Sequence, residues 1–109
     1  MIRFVILLFL AMLIATPAIA ARVPLPPVKY DHPYKGKLIE RNYDPAGVAR
    51  ACKKFGITPP RGKKIVACAL SGMRFCIINM PKKNSESYSL VKRHELGHCN
   101  GWRGHANSR

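Results

Sequence analysis

Lys92-Arg93-His94-Glu95-Leu96-Gly97-His98-Cys99-Asn100-Gly101-Trp102-Arg103-Gly104-His105 is the stretch on which the reading of this chain turns. It contains an H-E-x-x-H pattern at residues 94–98. A helix advances about 3.6 residues per turn, so positions four apart stack on one face. His94 and His98 then aim two imidazoles at one point, as a tetrahedral zinc site requires. Glu95 sits beside the first histidine and is placed to polarise a metal-bound water without being a ligand. The plainer alternative is an amphipathic helix whose histidines merely fall four apart.

The flanking residues support a helix. Leu90, Val91, His94 and His98 share one side, and either Ser85 or Ser87 is a candidate N-cap. Asn100-Gly101 is a stop signal, with the glycine supplying the left-handed residue after the C-cap. Gly97 costs roughly 1 kcal/mol relative to alanine inside a helix, so something is expected to pack closely against it. His105 follows the turn as a third potential ligand.

The run His94-Glu95-x-x-His98-x-x-Gly101 resembles the zincin metallopeptidases, and specifically the start of the metzincin pattern H-E-x-x-H-x-x-G-x-x-H. The resemblance implies zinc as cofactor, a helix ending at the glycine, and a third histidine completing the site. At the third-ligand spacing this chain has Gly104, with His105 one place later, and the family's methionine-containing turn has no counterpart in residues 106–109. The metal ligands expected are therefore His94, His98 and His105, with Glu95 as the catalytic base.

Residues 1–20 have the form of a secretory signal peptide: Arg3, an apolar run over residues 4–15, and Ala18-Ile19-Ala20 as a small-x-small cleavage site. The competing uncleaved anchor is disfavoured by the short run and by Pro17, since a span needs about 20 apolar residues. The 19 Lys and Arg less Arg3 leave 18 against five Asp and Glu, a net charge of +13 after cleavage. A domain this small is marginal without disulfides or a metal. Cys52, Cys68, Cys76 and Cys99 suit an oxidising compartment, secreted or periplasmic, and two disulfides are expected. A cysteine-based zinc site is the rival, but there is no C-x-x-C pair.

Residues 21–36, with Pro24, Pro26, Pro27 and Pro33, read as an extended proline-rich lead-in. The folded domain is expected over residues 37–109, as an α+β, disulfide-stapled unit of scaffold helix, β-hairpin and metal-binding helix. Residues 37–41 form a short strand. Asp44 is a helix N-cap with Pro45 at the first helical position; Val48, Ala51, Cys52 and Phe55 make an apolar stripe, and Gly56 closes the helix. Residues 64–70 and 73–79 read as strands joined at Ser71-Gly72. Cys68 and Cys76 either bridge that hairpin or staple it to Cys52 or Cys99 on a helix. The zincin resemblance makes residues 73–79 the edge strand beside the cleft, where an extended substrate pairs with free N–H and C=O groups.

Basic residues occur in nearly every segment and read as a uniformly basic surface, attractive to anionic lipid headgroups and acidic envelope polymers. Nucleic acid is disfavoured by export and by the absence of aromatic–basic interleaving among one Trp, four Tyr and four Phe. Two functions follow. One is a secreted or periplasmic zinc-dependent hydrolase, a metallopeptidase acting on a peptide or envelope-associated substrate. The other is a non-catalytic cationic envelope-binding module stapled by disulfides. An inhibitor or accessory factor for another envelope enzyme is a weaker third.

Overall fold

The structure, a computed structural model, describes residues 23–103. The signal peptide expected at 1–20 and the third-ligand candidate His105 lie outside them.

Helix α1 (Pro45–Lys54) forms where local chemistry calls for it. The Asp44 carboxylate accepts the Gly47 N–H at 2.7 Å, and Pro45 occupies the first turn, where its missing N–H has no cost. At the other end Gly56 takes φ 79°, so the chain leaves through a left-handed residue. Val48 and Cys52 are the buried stripe.

Three strands form the sheet: β1 (Lys37–Tyr43), β2 (Cys68–Ser71) and β3 (Phe75–Pro81), in the order β1-β3-β2. The hairpin is present but shorter than expected, and β2 begins only at Cys68. The larger correction concerns β3. It is the central strand, flanked by β2 antiparallel and β1 parallel, so residues 73–79 are not an edge. The crossover after β1 brings the two strands parallel, and Ile78, Asn79 and Met80, all fully buried, are the continuous inner run of a strand covered on both faces.

The register also settles the cysteines. Ser71 lies opposite Cys76 and Cys68 opposite Asn79, so Cys68 and Cys76 never face one another. The bonds are Cys52–Cys68 and Cys76–Cys99. Side chains alternate along a strand. Cys76, Ile78 and Met80 pack with Val91 and Cys99 of helix α2 (Tyr88–Cys99), whereas Cys68 packs with Val48 and Cys52 of α1. One helix therefore covers each face, and each is stapled to the sheet by its own disulfide.

The proline-rich lead-in lies as a strap across α2. A single 3-10 turn, Val28–Tyr30, interrupts it. Asn100 donates to the carbonyls of Tyr30 at 3.0 Å and His32 at 2.6 Å, and Arg93 pairs with Asp31 at 2.5 Å. From the sheet side, Glu40 of β1 accepts from the Tyr88 hydroxyl and pairs with Lys92 at 3.0 Å. Burial pushes the Glu40 carboxyl up, but the hydrogen bonds from Tyr88, Asn42 and Lys92 outweigh it and hold the group ionised.

Candidate metal centre

Helix α2 carries the site, and little in its own sequence starts it. Ser87 occupies the N-cap position, yet no side-chain capping bond is made, and the Ser85 hydroxyl is buried without a partner. Its termination is better specified. Gly101, at φ 107°, donates to His98 O at 3.0 Å, and Trp102 donates to Gly97 O at 2.9 Å. These are the two bonds of a Schellman turn. The turn folds Trp102 back over the last helical residues.

That return builds half of the site. The Trp102 ring stacks on His98 with centroids 4.9 Å apart and meets His94 edge-on at 5.0 Å. Its carbonyl accepts from His98 Nδ1 at 2.6 Å. The strap builds the other half, because Pro24 O accepts from His94 Nδ1 at 2.5 Å. Gly97 is what lets both approach. A Cβ there would lie 2.6 Å from Pro26 Cβ and 3.1 Å from Trp102 Cε3, which accounts for a glycine inside the helix.

The two carbonyls decide the tautomers. A carbonyl only accepts, so each Nδ1 carries its proton, and the Nε2 lone pairs of His94 and His98 face one another at 3.1 Å. Such a pair is satisfied by a shared proton or by a cation held between the rings. Burial lowers the His94 pKa against the opposing pull of the Pro24 carbonyl, which keeps the imidazole neutral and able to act as a ligand. Glu95 completes the group: the ligand atoms of His94, Glu95 and His98 all lie within 4.8 Å of one another, and together they could hold a metal ion.

Glu95 is only 4 % exposed, and burial pushes its carboxyl up to about 8. A nearby cation acts in the opposite sense, favouring the carboxylate. The group faces a cavity of about 620 Å³ shared with both histidines, Trp102 and the segment 63–69. This segment enters β2, and β2 is an edge strand of the sheet. An edge therefore does border the cavity, supplied by β2 and not by residues 73–79.

Of the site residues expected from sequence, the fold gathers His94, Glu95 and His98, while all four cysteines are paired in disulfides. Pro24 and Trp102 were not anticipated. A backbone carbonyl leaves no side-chain signature, so nothing marked Pro24. Trp102 had a usable signal, since the residue after a left-handed Gly101 is where a Schellman turn places its apolar contact. No protein-family model, curated protein or solved structure matches this chain.

Proposed function

We propose that this chain is an exported zinc-dependent hydrolase that cleaves peptide bonds. The observation that carries this reading is the convergence of two Nε2 lone pairs at 3.1 Å beside a buried carboxyl group. Two nitrogens about 2.0–2.1 Å from a tetrahedral zinc stand about 3.3–3.4 Å apart, so the donor pair fits zinc with a shift of tenths of an ångström. His94 and His98 would hold the ion, with His105 as third ligand. Zinc supplies Lewis acidity, polarising a carbonyl and acidifying water.

The chain's own groups do the rest. Nδ1–H bonds to Pro24 O and Trp102 O fix both rings, so neither imidazole must reorient for catalysis. Glu95 takes the proton of the attacking water at its carboxylate and returns it to the leaving amine. The indole of Trp102 and the apolar side chains of Ile65 and Val91 shed water from the cavity, strengthening every charge interaction within it. Lys63, Lys64 and Arg103, which also line it, favour a substrate with acidic groups. Export is supported by the pairing of all four cysteines, and no helix among the described residues is long and apolar enough to cross a membrane.

The formal net charge of +14 favours a second reading, a cationic envelope-binding module without turnover. Cleavage of a broad peptide library by wild type and Glu95→Gln, at equal zinc content, separates the two. The hydrolase reading expects the variant to keep zinc and lose about 10²–10⁴-fold in rate. Equal rates contradict the role of Glu95. No cleavage by either protein leaves the binding module.

A further inference from the structure

The face of the sheet away from α2 carries a second cavity, of about 170 Å³, lined by Arg41 of β1, Asn79 of β3, and Arg50 and Lys54 of α1. The register explains the gathering. Arg41 lies opposite Asn79 across the β1–β3 ladder, so both side chains project toward α1. Arg50 and Lys54 stand four apart and share a helix face. Neither ion pair found among the described residues involves the three cations. The nearby acids are engaged elsewhere: Asp44 caps α1, and Glu40 points to the other face with Tyr88 and Lys92.

In a chain with 19 basic and five acidic residues, unpaired cations are ordinary and do not make a site. Asn79 is the second, independent observation. It is fully buried; its Nδ2 reaches only the Cys68 sulfur, at 3.5 Å, and its Oδ1 has no hydrogen-bond partner. Buried carboxamides are rarely left half-satisfied. An N–H to sulfur bond is weak, and turning the amide by 180° exchanges its oxygen and nitrogen with almost no change of shape. Asn79 lines the cavity, and turning its amide puts N–H donors where the unpartnered oxygen now lies.

We propose that this cavity binds a phosphate-type oxyanion, held by Arg41, Arg50, Lys54 and the turned amide of Asn79. Guanidinium forks match a tetrahedral oxyanion in two-point contacts, and several donors suit a doubly charged group better than a carboxylate. The volume admits one phosphoryl group; it is well below the roughly 300–1,000 Å³ of pockets that enclose drug-sized ligands. The oxyanion is either free phosphate or the phosphate of an anionic lipid headgroup. The site is independent of the metal centre, which lies across the sheet.

The test uses the isotope-labelled, disulfide-intact chain titrated with inorganic phosphate and, separately, with acetate, at matched ionic strength. Phosphate is expected to shift the Asn79 side-chain amide resonances saturably, and acetate to do so far more weakly. The double variant Arg41→Glu, Arg50→Glu changes two exposed positions, so it should keep the fold and the zinc content of wild type and lose at least about tenfold in phosphate affinity. Undiminished affinity in that variant, or saturation without movement of the Asn79 amide, overturns the proposal, as does the absence of phosphate binding by wild type. Vesicles of phosphatidylcholine with and without phosphatidylglycerol then identify the source. Retention on the anionic vesicles, reversed by inorganic phosphate and lost in the double variant, assigns a headgroup; saturable phosphate binding without retention assigns the free ion.

Discussion

At its C-terminus each helix closes through the same two bonds. Ile57 N–H reaches Cys52 and Gly56 N–H reaches Lys53 in α1; Trp102 N–H reaches Gly97 and Gly101 N–H reaches His98 in α2. At their N-termini the helices part company. Asp44 caps α1 through its side chain, whereas Ser87 makes no such bond for α2. The cores differ in the same way. Val48 and Cys52 are what α1 buries besides Gly47, while α2 buries His94 and Glu95 beside Val91, Gly97 and Cys99. Helix α1 satisfies local rules at both ends. Helix α2 breaks several of them and is held from outside, by the strap, by Glu40 and by the Cys76–Cys99 bond. Departures from local consistency concentrate where a protein does chemistry.

The strongest expected asymmetry is in pH dependence. The unfolded Glu95 titrates near 4.5 and the folded one at about 8, so the folded state binds this proton more tightly. Its contribution is fully present below pH 4.5 and is lost as pH rises toward 8. At about 1.4 kcal/mol per unit, the ceiling is roughly 5 kcal/mol. Chelator-treated wild type should therefore lose stability against Glu95→Gln across that range in denaturant titrations. A constant difference would mean that Glu95 is not desolvated.

The disulfides sharpen the contrast next. Loop closure predicts about 3 kcal/mol for either bond, with sequence separations of 16 and 23 residues. Replacing Cys52 and Cys68 by serine should cost stability and leave the metal affinity of the folded fraction unchanged. Replacing Cys76 and Cys99 should cost as much stability and also weaken metal binding, because Cys99 adjoins His98. Equal metal affinities in the two variants would show that the staple does not position the site.

A smaller effect is expected at Gly97. Alanine gains up to about 1 kcal/mol of helix propensity, but its Cβ would sit 2.6 Å from Pro26, and overpacking costs about 1–3 kcal/mol. Thermal unfolding should register a net loss of up to about 2 kcal/mol; a stabilised variant would mean that the strap does not press on the helix. The smallest contrast is in the caps. Asp44→Ala should cost about 1 kcal/mol and Ser87→Ala close to nothing. Equal losses on denaturation would erase the distinction between the two helix starts.

What was legible in the sequence follows the same division. Helix α1 was readable to its cap because Asp44, Pro45 and Gly56 act through local backbone geometry. The His94 and His98 pair was readable because helical period alone brings them together. The central position of β3 was not, since it depends on which strand comes to lie beside it, and residues 37–41 gave no sign of a parallel partner. The disulfide pairing was equally hidden, because spacing across a turn does not reveal which face of the sheet a cysteine shares with a helix. Least readable was the strap: a carbonyl from Pro24 orients His94 across 70 residues of chain.

His94 and His98 are the proposed ligands of a metal centre on the α2 face. The most direct test is metal analysis of the disulfide-intact protein after zinc loading and dialysis, set against the double variant His94→Ala, His98→Ala. About one zinc per chain in wild type, and none retained by the variant, is the expected result. Zinc content unchanged by removing both imidazoles, or no zinc retained by wild type, would contradict it.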